Sequence, residues 1–193
     1  MPVIYFLLGG ARSGKSEYAE NLALSLSDKV LYFATARIID EEMKKRIQLH
    51  KNRRPKNWKT IEIDKDLVLF ADVKEIINEA VLQNYSVLII DCVTNLLFRL
   101  IYKYNLDNLD VIENKLEKEI EEEVMMFFDN FLNLICKINL DIIIVSNEVG
   151  LGIVPPYPFG RVFRDLLGLI NKKIAAVSDE VYFFVAGLKL KIK

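Results

Sequence analysis

The chain has 193 residues, of which 52% are hydrophobic, and its 26 basic and 27 acidic residues leave a formal net charge of −1. That length fits one domain spanning residues 1–193, with enough apolar sequence for a sizeable core. The near-cancelled charge provides no long-range field for nucleic acid or an anionic membrane, so neither is expected as a partner.

The first apolar run, from Val3 to Leu8, has β-rich composition and no basic residues before it. It is too short for a membrane span and lacks the n-region of a signal peptide, so a soluble, cytoplasmic protein is expected. Directly after it comes Gly9-Gly10-Ala11-Arg12-Ser13-Gly14-Lys15-Ser16, which fits G-x-x-x-x-G-K-[ST] in full. A helix should follow, carrying Tyr18, Ala19, Leu22 and Leu26. Strand, glycine-rich loop and helix in this order form a phosphate cradle: backbone N–H groups face the phosphates at the positive end of the helix. Lys15 would reach the β- and γ-phosphates, and the Ser16 hydroxyl would bind Mg²⁺.

A second strand is expected at Val30–Ala34, then a short helix from Asp40 to His50. Asp40 suits its N-cap, acids fill its first turn and bases its last. Met43, Ile47 and His50 share one face, and His50 is the only histidine. Three cations, Lys51, Arg53 and Arg54, follow it, and Pro55 ends the helix. A packed core histidine is the ordinary reading of such a position. A neutral imidazole beside cations could instead attack an α-phosphate to form a phosphoramidate, the cations stabilising the phosphoryl charge and keeping the ring deprotonated.

Further strands are expected at Lys59–Ile63 and Ser86–Ile90. The second of these ends in Asp91, a position that suits a Mg²⁺ ligand in a P-loop protein, direct or through water. The apolar stretch from Val87 to Ile101 is interrupted by Asp91, Asn95 and Arg99 and is no bilayer helix. The strongest helical pattern runs from about Leu109 to Lys137, where Ile112, Leu116, Ile120, Val124, Phe127, Phe131 and Leu134 recur every three or four residues. Strands at Asp141–Ser146 and Val181–Ala186 complete the series. Cys92 and Cys136 share no metal-ligand spacing, and both read as buried free thiols in a reducing compartment. Strands alternating with helices predict an α/β fold, a mostly parallel sheet with helices on both faces and its ligands at the carboxyl ends of the strands.

Taken in order, the motifs resemble those of the bifunctional adenosylcobinamide kinase/adenosylcobinamide-phosphate guanylyltransferase family. The resemblance starts at Gly9 to Ser16 and continues through Ala34-Thr35-Ala36, Asp40-x-Glu42-Met43 and Arg46-Ile47-x-x-His50. It extends to Arg54-Pro55-x-x-Trp58-x-Thr60-x-Glu62, Asp91-Cys92-Val93-Thr94-Asn95, and Ser146-Asn147-Glu148-Val149-Gly150-x-Gly152-Ile153-Val154-Pro155. Arg161-x-Phe163-Arg164-Asp165, Asn171 and Ser178-Asp179-Glu180-Val181 complete it, so that nearly the whole chain is covered. Val93-Thr94-Asn95 and Pro155-Pro156-Tyr157-Pro158 depart from the family's usual forms.

The resemblance implies a RecA-like P-loop NTPase fold and a homotrimer. It implies two reactions in cobalamin biosynthesis: phosphorylation of adenosylcobinamide by ATP or GTP, then transfer of GMP from GTP, through an enzyme histidine, to adenosylcobinamide phosphate. By motif position His50 is the guanylylated nucleophile. Gly9, Gly10, Ala11, Arg12, Ser13, Gly14, Lys15, Ser16, Ala34, Thr35, Ala36, Lys51, Asn52, Arg53, Arg54, Glu62 and Asp91 are implied nucleotide contacts. A carboxylate at Glu62 can accept from the N1–H and amine edge of guanine. Asn147, Glu148, Arg161 and Arg164 are candidates for the substrate face or a neighbouring subunit.

Other readings remain open at the level of the residues. A P-loop kinase of another small metabolite would form no covalent nucleotide and would leave His50 and the cations after it unused. A third reading keeps guanylyl transfer without the kinase step. A GTP-binding switch would need an Asn-Lys-x-Asp motif, which the sequence lacks.

Overall fold

The alternation of strand side chains sorts the core into two layers. In the computed structural model, which describes residues 2–36, 41, 48, 51, 54–63, 69–106 and 109–193, seven strands form one sheet. They are β1 (Ile4–Gly9), β2 (Val30–Ala34), β3 (Lys59–Glu62), β4 (Val87–Asp91), β5 (Asp141–Asn147), β6 (Glu180–Val185) and β7 (Leu188–Lys191). Their spatial order is β3-β2-β4-β5-β1-β6-β7. Every pairing is parallel except that of β6 with β7.

Phe6, Leu31, Phe33, Leu88, Ile90, Ile142 and Ile144 point to one face. Leu7, Val30, Tyr32, Val87, Ile89, Ile143 and Val145 point to the other. Strands buried on both faces need no polar alternation, which is why they read as continuous Val/Ile/Leu runs. The second face is covered by α1 (Lys15–Leu26) through Ala19 and Ala23. The first is covered by α2 (Phe70–Leu82), α3 (Val93–Ile101), α4 (Asn114–Ile135) and α5 (Pro158–Val177), through residues such as Val73, Leu96, Val124 and Leu167.

The expected α/β architecture, a mostly parallel sheet with helices on both faces, is what the chain adopts. The strand expectations hold to within a residue or two at each end. Strand β7 was not expected: its Leu-Lys-Leu-Lys run is exposed at all four positions and carries no buried stripe to reveal it. Helix α4 is shorter than the expected span from Leu109 to Lys137. Ile112 still packs into the core, but from the segment before the helix begins. Cys136 corrects another expectation. Cys92 is buried as foreseen, but Cys136 is exposed, because it caps α4 one position past the buried Ile135, where the helix turns its face to solvent. The expected short helix from Asp40 to His50 lies almost wholly outside the described residues. No helix among the described residues is long and apolar enough to cross a membrane.

Candidate functional site

The carboxyl ends of β1 to β5 lie on one edge of the sheet, and Gly9, Ala34, Glu62 and Asp91, singled out by sequence, stand there. Gly9 ends β1, opposite Asn147 of β5 on one side and Phe184 of β6 on the other. Ala34 of β2 stands level with Asp91 of β4 and with Glu62 of β3. Three expected nucleotide contacts from three distant parts of the sequence thus form one row.

The loop from Gly9 to Ser16 owes its shape to two glycines. A Cβ on Gly9 would lie 2.5 Å from the Phe184 carbonyl oxygen, so only glycine lets β6 pass this close. Gly14 adopts φ +95°, in the left-handed region, and caps α1 while its carbonyl accepts from the Tyr18 N–H at 2.9 Å. Lys15 is only 6% exposed. Its ammonium donates to the carbonyls of Gly9 at 2.8 Å and Gly10 at 2.6 Å, with the Ser13 hydroxyl at 3.4 Å. Burial lowers its proton affinity, and the charge of Asp91 partly restores it. A bound phosphate would supply the counter-charge that the loop carbonyls supply only as dipoles.

Asp91 is half-buried, and its Oδ2 accepts from the Tyr32 hydroxyl at 2.5 Å. Beside it, the Thr35 hydroxyl donates to the Cys92 carbonyl and accepts from the Cys92 N–H, both at 2.6 Å. The Thr35 N–H donates to the Asp91 carbonyl at 2.9 Å. Burial, followed by the charge of Asp91, pushes the Cys92 thiol up to about 12, so it stays protonated and unreactive.

Arg99 holds this corner from below. It is 3% exposed on α3 and donates Nε to the Thr35 carbonyl at 2.8 Å and Nη2 to those of Ala36 at 3.0 Å and Ile63 at 3.1 Å. Sequence reading used Arg99 only as a charge that breaks an apolar run. An arginine inside a buried amphipathic helix was itself the signal, since such a cation must find acceptors. A second network, at the end of β5, joins Asn147, one of the substrate-face candidates, to residues quoted only as motif matches. Ser146 donates to Asn171 Oδ1 at 2.7 Å, Asn171 to the Asn147 carbonyl at 3.1 Å, and the Asn147 N–H to the Thr94 hydroxyl at 2.9 Å. Of the four substrate-face candidates, Arg161 is engaged with the carbonyls of Pro155 and Pro156, and Arg164 with Asp165.

Toward the β3 edge the site is more open. The Lys51 ammonium pairs with Glu62 at 2.9 Å, both side chains being about two-fifths exposed. The Arg54 guanidinium lies 3.5 Å over the Tyr32 ring, and its Nε and Nη1 are enclosed without a hydrogen-bond partner among the described residues. A half-buried cation with two enclosed, unused donors suits an anionic ligand. His50, Asn52 and Arg53 lie outside the described residues.

The described residues contain no group of three or more His, Cys, Asp or Glu that could form a metal cage. Mg²⁺ needs none, since it is commonly held by one or two protein oxygens, nucleotide phosphates and water. Ser16 on the first turn of α1 and the half-buried Asp91 are the donors of that kind here.

Residues 5–192 match the family described as cobinamide kinase / cobinamide phosphate guanyltransferase. The chain belongs to this family. Over 99% of its length it is 37% identical to the bifunctional adenosylcobalamin biosynthesis protein CobU of Escherichia coli (strain K12), covering all of that protein. It is likewise 37% identical to the bifunctional adenosylcobalamin biosynthesis protein CobP of Pseudomonas aeruginosa, over 97% of this chain and 95% of that one. Among solved structures, an ATPase from the type III secretion system of pathogenic bacteria superposes with a TM-score of 0.56 at 9% identity. It covers 99% of this chain, which spans 58% of that one, and the likeness speaks for the fold alone. The family named by the motifs is therefore the chain's own, and the cobinamide kinase/guanyltransferase family supplies the enzyme class.

Proposed function

We propose that the chain phosphorylates adenosylcobinamide and then converts the phosphate to adenosylcobinamide-GDP, within cobalamin biosynthesis. The carrying observation is the edge itself: a complete phosphate cradle with an enclosed lysine, beside Asp91, opens toward the Lys51–Glu62 pair and Arg54.

In the kinase step the substrate hydroxyl oxygen attacks the γ-phosphorus of ATP or GTP, the bond from that phosphorus to the β-phosphate oxygen breaks, the nucleoside diphosphate leaves, and the hydroxyl proton passes to solvent. Lys15 and the loop N–H groups from Gly10 to Ser16 hold the phosphates in line and offset the charge on the departing oxygen. Ser16 and Asp91 would hold Mg²⁺, which supplies charge neutralisation across the phosphates.

In the transfer step the His50 imidazole attacks the α-phosphorus of GTP and releases pyrophosphate. A phosphate oxygen of the cobinamide phosphate then attacks the same phosphorus, the P–N bond breaks, and the histidine is freed. Arg54, with Lys51, Asn52 and Arg53, would steady the α-phosphate, and Glu62 would read the guanine edge once Lys51 is drawn to phosphate. The enzyme would act as a cytoplasmic homotrimer of single-domain subunits, without nucleic acid or membrane as partner.

The test is an intact mass after incubation with GTP and Mg²⁺, for the wild type and His50→Ala. A GMP adduct on the wild type alone is expected. No adduct on folded, GTP-binding wild type would remove the transferase step and leave a P-loop kinase.

A further inference from the structure

Tyr32 enters the sequence only as one member of a β run, yet its hydroxyl reaches a carboxylate of the candidate site. The residue is fully buried on β2, and its hydroxyl crosses to the neighbouring strand to donate to Asp91 Oδ2 at 2.5 Å. Its ring is fixed by core packing and by the Arg54 guanidinium, 3.5 Å above its centre. In that bond the phenol is the donor and Oδ2 the acceptor, which leaves Oδ1 outside the contact. The terminal torsion of an aspartate is broad, and an unheld carboxylate would swing. The partner of a metal-binding carboxylate commonly sets which oxygen the metal meets.

We propose that Tyr32 is a positioning residue for Asp91: its hydroxyl fixes the carboxylate so that Oδ1 is kept for the nucleotide's Mg²⁺. This rests on the metal role proposed for Asp91 above. The same ring bears Arg54, so one side chain sets both the metal carboxylate and a cation of the guanylyl-transfer segment.

The test is the Mg²⁺ dependence of binding of a non-hydrolysable GTP analogue, followed by calorimetry in the wild type, Tyr32→Phe, Asp91→Asn and the double variant. Tyr32→Phe keeps the ring and its stack on Arg54 and deletes only the hydroxyl. The Mg²⁺ concentration for half-maximal binding is expected to rise about tenfold or more in Tyr32→Phe. Binding in EDTA should be unchanged, and the rise should vanish in the Asp91→Asn background. An unaltered Mg²⁺ requirement, or the same rise without the Asp91 charge, overturns the proposal. A Tyr32→Phe protein that does not fold makes the hydroxyl structural and overturns it equally. Wild-type binding indifferent to Mg²⁺ would remove the metal role of Asp91 itself, whereas the GMP adduct on His50 judges the transferase reading separately.

Discussion

The two ends of the candidate site are built by opposite rules. At the β1 end the phosphate cradle is enclosed: Lys15 is buried, its ammonium has three oxygen neighbours, and Gly9 is pressed against β6. At the β3 end Lys51 and Glu62 meet in water, each about two-fifths exposed. Four strand spacings separate β3 from β1 in the sheet order, roughly 19 Å. The difference suggests a division of labour. The enclosed end is preorganised for phosphate, whose shape is the same in every nucleotide. The open end keeps its charges paired with each other, and in the proposed reading a ligand exchanges them. Arg99, Tyr32 and Asp91 lie between, tying the ends of β2, β3 and β4 together.

The largest effect should come from the enclosed end. Lys15→Ala removes the one cation that the loop surrounds, and phosphoryl transfer should fall by roughly 10²–10³-fold, as when a preorganised charge-stabilising donor is lost. Steady-state kinase rates would show it. A fall of less than about tenfold would mean that the cradle does not carry the charge of the reaction, and the contrast between the two ends would disappear. Gly9→Ala should come next, acting through stability. Its Cβ would meet a backbone oxygen at 2.5 Å, which a side-chain rotation cannot relieve. A loss of about 1–3 kcal/mol is expected from chemical denaturation, as for other overpacked sites.

How much of this was legible beforehand follows from the same contrast. The cradle could be read because its requirements are local: glycines at fixed offsets, a lysine and a hydroxyl, between a strand and a helix. Asp91 could be read from its place at a strand end in a P-loop chain, but Ala34 and Glu62 only through resemblance, since strand order is decided by long-range pairing that no short segment reports. Tyr32 and Arg99 were missed for one reason: each looks like a core or breaker residue along the chain, and its role exists only across strands. The β7 strand was missed because an exposed edge needs no apolar pattern. Cys136 was misjudged by a single helical position, beyond the reach of periodicity at a helix end.

The smallest stability effect is the sharpest test of the open end. Lys51→Ala and Glu62→Gln each break an ion pair between half-exposed groups, where solvent screening and side-chain entropy offset most of the attraction. Each should change unfolding free energy by less than about 1 kcal/mol. Their effects on GTP should nonetheless differ. Glu62→Gln keeps the side-chain shape but exchanges a double acceptor for a mixed donor and acceptor, so it should weaken GTP adduct formation relative to any ATP-supported kinase rate. Lys51→Ala should slow adduct formation without altering the preference for guanine. If both variants lowered the two activities in the same proportion, the pair would merely brace β3, and base recognition would have to lie elsewhere along the edge.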